Sequence, residues 1–184
     1  MISVDDYTED NYYIADIAKK YNMQDQFIFF LDTLKAGEMA KTLFDDGFII
    51  GSHTVNHRSL SEIPEKEAKY ELKESFDSIK RWTGKDCEWL SYPFGQYNEK
   101  VIEMVKETGY KYARTTHLLN FNSPYEVSAM HIGRISGDEW GGQDSFEMAK
   151  RTRLNHFYLH YYDLLRGDTF KEFEEYVKAV ADKR

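Results

Sequence analysis

The sequence predicts an α/β fold with a mainly parallel sheet. Short apolar runs alternate with amphipathic stretches of helical period, the pattern of strands joined by crossover helices. One run, Gln26 to Leu31, holds Phe27, Ile28, Phe29 and Phe30 in succession, as expected of a strand covered on both faces. No Pro/Gly/Ser-rich linker interrupts the pattern, so residues 1–184 are expected to form one domain.

The elements follow in order. Met1 to Val4 is a short first strand. Glu9 to Tyr21 is a helix, with Ile14, Ile17, Ala18 and Tyr21 at helical spacing. Gln26 to Leu31 is the second strand. Lys35 to Asp46 is a helix with Met39, Leu43 and Phe44 inward, stopped by Gly47. Phe48 to Ile50 is the third strand and runs directly into Gly51-Ser52-His53. Pro64 to Trp82 is the clearest helix, with Ala68, Leu72, Phe76, Ile79 and Trp82 on one stripe and Gly84 as its stop. Cys87 to Tyr92 is a strand ended by Pro93. Glu99 to Thr108 is a helix, and Tyr110 to Thr115 a strand. Within Thr116 to Ser145 only Ile132 to Ile135 reads as strand, and the rest as loop. Phe157 to His160 is a late strand. Thr169 opens a terminal helix with Glu172 three residues on, the spacing of a capping box.

Composition narrows the function. The formal net charge is −8, from 32 acidic and 24 basic residues, which disfavours a nucleic-acid partner. No apolar run approaches the roughly 20 residues of a membrane-spanning helix. Neither a signal peptide nor a second cysteine beside Cys87 speaks for export, so cytoplasmic retention is the expectation. The 14 tyrosines could stack on sugar rings, although core packing uses most aromatics.

Three strand ends carry unusual side chains, and strand C-termini are where parallel barrels present their chemistry. The first ends in Asp5-Asp6, the third in His53-Thr54-Val55-Asn56-His57, and a late one in His160. His53 and His57 are four apart, so one helical turn would put both imidazoles on the same side. Two imidazoles and one carboxylate suit Zn²⁺ and leave a coordination position open, the requirement of a catalytic site. Adjacent aspartates can divide the work, one binding the ion and the other accepting a proton. Asp45-Asp46-Gly47 looks superficially similar but lies at a helix stop and reads as structural.

These segments resemble the motifs of the NodB-homology polysaccharide deacetylases, carbohydrate esterase family four. Ser3-Val4-Asp5-Asp6-Tyr7 resembles the first motif, Thr-Phe-Asp-Asp-Gly, without its Gly. His53-Thr54-Val55-Asn56-His57-Arg58-Ser59-Leu60 is similar throughout to the second. Ser91-Tyr92-Pro93-Phe94-Gly95 resembles a Tyr-Pro-Phe-Gly form of the third. The likeness runs from Met1 to about Thr116, with a weaker echo at the C-terminus.

The resemblance implies a distorted (β/α) barrel with fewer than eight strands and a divalent metal ion, Zn²⁺ first. It assigns Asp5 as catalytic base, and Asp6, His53 and His57 as metal ligands. Tyr92, Pro93, Phe94 and Gly95 fall at the substrate, with the Phe94 backbone N–H toward an oxyanion. The last motif, Leu-x-His, supplies a general acid. His160 is favoured over His156 because it ends a strand. Ser91 stands where many relatives carry an Arg that orients the base, and Arg134 is the candidate to replace it. Asp138-Glu139-Trp140 resembles the fourth motif and adds Trp140 to the substrate side. The implied reaction removes an N-acetyl group from an amino sugar in an oligo- or polysaccharide. Two alternatives stay open: a metal-dependent amidase acting on small amides or cyclic ureides, and a degenerate sugar-binding module of the same fold.

Overall fold

Eight strands join into one sheet in the computed structural model, which describes residues 1–117, 123–132 and 156–184. In chain order the elements are β1 (Ile2–Asp5), α1 (Asn11–Lys20), β2 (Phe27–Leu31), α2 (Gly37–Asp45), β3 (Ile49–Ser52), α3 (Glu65–Thr83) and β4 (Trp89–Ser91). There follow α4 (Glu99–Thr108), β5 (Tyr112–Thr115), β6 (Val127–Ser128), β7 (Met130–His131), β8 (Phe157–His160), α5 (Tyr161–Gly167) and α6 (Phe170–Ala181).

The strand order is β6-β5-β4-β3-β2-β1-β8-β7, and every pairing is parallel. The two outermost strands are separated in sequence only by Ala129. Residues 127–128 pair with β5 and residues 130–131 with β8, so this one segment brings the two edges of the sheet together. The distorted barrel implied by the resemblance is the fold. A count below eight strands is recovered only when 127–131 is taken as one interrupted stave. Two-residue strands are too short to leave a period-2 signal, which is why they went unread in the sequence.

Period-2 alternation sorts the side chains. Ile2, Val4, Phe27, Phe29, Leu31, Leu90, Ala113 and Leu159 join the core beneath the helices, with Ile14, Leu43, Leu72, Val105 and Val177 from the helices themselves. The alternate positions Asp5, Phe30, Ser91 and Tyr158 meet around Arg114 inside the barrel, all but Ser91 from strands not adjacent to β5. Gly51 is required in β3 because a Cβ there would collide with the Phe30 ring.

Several boundaries differ from the expectations. The terminal helix begins at Phe170, but Thr169 makes no side-chain cap, and its buried hydroxyl has no partner among the described residues. Helix α5, directly after β8, was not expected. Of the strand expected at Ile132 to Ile135, Ile132 directly follows β7 (Met130–His131), and residues 133–135 lie outside the described residues. Asp45 and Asp46 pair with Lys41 and Lys19 at the end of α2, consistent with a structural role.

Candidate active site and metal centre

Strand register builds the site. Asp5 ends β1 level with His160, the last residue of the adjacent β8. The backbone then turns sharply, with Asp6 at φ 69°, a left-handed conformation uncommon for a residue with a side chain. Tyr7, standing where the first motif has Gly, is held by its N–H donating to Asp32 Oδ1 at 2.6 Å. The left-handed bend therefore falls on Asp6 itself.

His53 and His57 do not share a helical turn, as their spacing suggested. They flank an irregular loop in which Thr54 and His57 both have positive φ (66° and 53°). Three backbone bonds tie this loop and β3 to the segment after β2: Thr33 N–H to Thr54 O, Leu34 N–H to Val55 O and His53 N–H to Leu31 O. Beneath it lies Glu71 of α3, only 2 % exposed. Its carboxylate accepts from the Val55 and Asn56 N–H groups at 2.9 Å each and from Asn56 Nδ2 at 2.8 Å. These bonds hold a strained loop in one shape.

The loop brings both Nε2 atoms to Asp6. Asp6 Oδ1 lies 3.6 Å from His53 Nε2 and 3.5 Å from His57 Nε2. His53 Nδ1 is 2.8 Å from the Ser91 carbonyl, which can only accept, so Nδ1 carries the proton and Nε2 presents its lone pair to Asp6. Burial, ahead of the opposing Asp5 charge, lowers the His53 pKa to about 3, so the ring is neutral. A neutral imidazole with its outer nitrogen fixed on a carbonyl is the ligand state a divalent cation needs. The three donors thus fit a metal ion.

Asp5 is buried beside them, with Oδ2 3.9 Å from His53 Nε2. Arg114, fully buried, donates through Nη2 to Asp5 Oδ2 and to Ser91 Oγ. Its guanidinium lies 4.5 Å from the Tyr158 ring centre and 5.5 Å from that of Phe30. Burial raises the Asp5 pKa, but Arg114 foremost, then His53 and His160, outweigh it and hold the carboxyl below its usual range. Asp5 Oδ1 is buried without a hydrogen-bond partner among the described residues.

On the opposite wall, His160 Nδ1 is 2.8 Å from Asp163 Oδ2, which also accepts from the His160 N–H at 2.8 Å. Burial opposes a charge on His160, yet the bond to Asp163 and the charges of Asp5, Asp163 and Asp6 raise its pKa. Tyr162 stacks on the ring at 4.6 Å. A cavity of about 410 Å³ opens onto Asp5, Asp6, His53, His57, Phe94 and His160.

A family model described as polysaccharide deacetylase matches residues 1–113. The chain belongs to the polysaccharide deacetylase family. It is 27% identical over 142 residues to the putative polysaccharide deacetylase YxkH of Bacillus subtilis, a match covering 74% of this chain and about half (51%) of that protein. Among solved structures it resembles PdaA of Bacillus subtilis, a family 4 carbohydrate esterase (TM-score 0.70, 19% identity, covering 99% of this chain and 74% of that one). It equally resembles a mutant described as a pseudoenzyme of the same esterase family (TM-score 0.70, 14% identity, 99% and 62% covered).

Tyr92, Phe94 and Gly95 line the cavity, whereas Pro93 is buried and is not among the lining residues. Tyr92 points its hydroxyl to the Tyr125 carbonyl, so its buried ring is shared with the core. Phe94 is exposed, has φ 59°, and meets the His57 ring edge-on at 4.6 Å. Gly95 follows with φ 69°, and a Cβ there would strike the Thr116 hydroxyl. His156 is buried against Ser3 Oγ (3.1 Å) and the Trp89 ring, and does not line the cavity; His160 does. Arg134 and Trp140 lie outside the described residues.

Three contributors escaped the sequence reading. Among the described residues the cation on Asp5 is Arg114, which arrives from β5 past the small Ser91 of β4; Arg134, the residue expected in that role, lies outside the described residues. An arginine within the short strand Tyr112–Thr115, at a position alternating with the core-facing Ala113, was the available signal. Asp163 was detectable as an acid three residues after His160, and Glu71 as a carboxylate on the buried stripe of α3, beside Leu72.

Proposed function

We propose that this chain is a metal-dependent hydrolase removing N-acetyl groups from an amino sugar in an oligo- or polysaccharide. The observation that carries this reading is the convergence of Asp6, His53 and His57, with Asp5 and His160 facing the same cavity. Asp6, His53 and His57 would hold the ion, Zn²⁺ first by donor type. A divalent ion held there supplies Lewis acidity, lowering the pKa of water toward about 7 and polarising an acyl oxygen.

The remaining steps belong to the chain's own residues. Asp5, kept ionised by Arg114, takes a proton from the attacking water through Oδ1, the oxygen without a hydrogen-bond partner among the described residues. The Gly95 N–H is taken by the Tyr92 carbonyl at 2.9 Å, so the Phe94 N–H, on left-handed backbone beside the cavity, would be the donor to an oxyanion. His160, oriented by Asp163, delivers a proton to the departing amine, a poor leaving group until protonated. Phe94, exposed beside His57, offers a face on which a sugar ring can stack.

Release of acetate from N-acetylglucosamine oligomers by the metal-loaded protein tests the reading. Turnover confined to small amides would move the substrate to the amidase class. Full metal occupancy with no turnover on either class would leave a sugar-binding module, a reading the likeness to a pseudoenzyme favours and the presence of both Asp5 and His160 opposes.

A further inference from the structure

The chain carries a second set of two imidazoles and one buried carboxylate. Asp163, 2 % exposed, receives His131 Nε2 at 2.8 Å and His160 Nδ1 at 2.8 Å on the same oxygen, Oδ2. The donor atoms of these three residues lie within 4.8 Å of one another, as do those of Asp6, His53 and His57. We propose that His131, His160 and Asp163 form a second, weaker divalent-cation site that ties up His160.

The first set stands open at 3.5 to 3.6 Å, close to the separation of two donors each about 2.1 Å from a shared ion. The second set is drawn together by protons. Opening it from 2.8 Å to the 3.5–3.6 Å of the first set, through rotations of the two rings, gives the same spacing. That rearrangement makes its affinity the lower of the two. Solvent reaches the site, because the side chains of His131 and His160 are 21 % and 19 % exposed while Asp163 is sealed. Backbone hydrogen bonds brace it. The segment carrying His131 is tied to β8 by Met130 N–H to His156 O and Ile132 N–H to Tyr158 O. Asp163 keeps the His160 N–H when the imidazole protons leave, so its carboxylate stays anchored.

Binding a cation requires unprotonated donor nitrogens. His131 meets this by moving its proton to Nδ1. His160 meets it by baring Nδ1, with the proton carried on Nε2. A cation-bound imidazole gives up that remaining proton far less readily than an imidazolium does. If His160 is the acid of the proposed deacetylation, as this consequence assumes, the second ion silences the enzyme. The site itself does not depend on that reading.

Metal-free protein titrated with Zn²⁺, by calorimetry and by mass spectrometry under native conditions, should take up two equivalents, the second at least ten-fold weaker. His131→Ala should take up one. His131→Gln, which retains a donor toward Asp163 but is a poor ligand, should also bind one, guarding against a folding loss in the alanine variant. His57→Ala should lose the tighter equivalent and keep the weaker. In ¹⁵N-histidine NMR, the second equivalent should move the Nδ1 resonance of His160 into the ligated range. A single equivalent in the unaltered protein, a second equivalent surviving in both His131 variants, or an unmoved His160 resonance would overturn the proposal. In acetate release, excess Zn²⁺ should slow the unaltered protein at least ten-fold but spare His131→Gln. No acetate release under any condition would remove the deacetylase reading and leave the binding result standing.

Discussion

Asp5 and Arg114 form one buried ion pair beside the cavity, and the two residues' parts in the proposed mechanism can be separated by substitution. Asp5→Asn keeps the shape but removes the proton acceptor. Turnover should fall by about 10²- to 10⁴-fold, the usual share of a general base. Zn²⁺ content should stay at the level of the unaltered protein, because Asp6, His53 and His57 are unchanged. Retained turnover would remove Asp5 from the mechanism. Arg114→Met acts differently. It leaves Asp5 buried without its cation, and breaking one side of a buried pair costs about 3–5 kcal/mol. Urea denaturation should show that loss, and turnover should fall while the tight metal equivalent remains. A variant of unchanged stability would mean that the guanidinium is not what compensates the buried carboxylate. Ser91 explains why the cation can come from β5: a small side chain on β4 leaves Arg114 room to reach Asp5 and gives it a hydroxyl to bond.

At the scale of elements, the loop after β3 is the part that secondary-structure reasoning placed correctly and explained wrongly. A spacing of four residues brought His53 and His57 together in the sequence reading through a helical turn. In the molecule, left-handed Thr54 and His57 achieve the same convergence, and such conformations leave no periodic trace. What compensates their strain is Glu71, eleven positions beyond the last residue of Leu60's motif and on another element, so only the tertiary contact reveals it. Glu71→Ala should weaken Zn²⁺ binding by about 10- to 100-fold, the range seen when outer partners of metal ligands are removed. Calorimetric titration of the metal-free variant checks this, and unchanged affinity would show the loop to be self-supporting. The strands from Phe27 to Leu31 and Phe157 to His160, and the helix from Glu99 to Thr108, were legible because each is a long or sharply bounded apolar pattern. The stave of residues 127–131 was not, because its pairing is set by the two strands it bridges. The barrel closure and the cation on Asp5 are both products of long-range contact, beyond what local pattern can carry.

For the molecule as a whole, the buried histidines predict how stability responds to acid. His53 and His156 are held neutral chiefly by burial, each with its pKa lowered to about 3. In the unfolded chain the same rings titrate near 6.5. Between these values the unfolded state binds the extra protons, so stability must fall as pH drops from about 6.5. Asp163 has its pKa lowered, mainly by its bonds to His131 and His160 acting against burial, so the stability it contributes is lost only below the ordinary carboxylate range. His160 has its pKa raised, so its contribution is lost at the alkaline side, as pH climbs through the folded value. The interval from pH 6.5 to 5 therefore reports chiefly on the two neutral rings, at about 2 kcal/mol for each. His156 provides the cleaner test because it does not line the cavity at Asp6, His53 and His57, and contacts Ser3 Oγ and the Trp89 ring. His156→Gln keeps a polar partner for Ser3 and removes the titration. Urea unfolding of the metal-free proteins at pH 6.5 and pH 5 should show the variant losing about 2 kcal/mol less than the unaltered chain over that interval. Equal losses in the two proteins would mean that His156 is protonated in the fold, and that the interior beside β1 is wet enough to hold its charge.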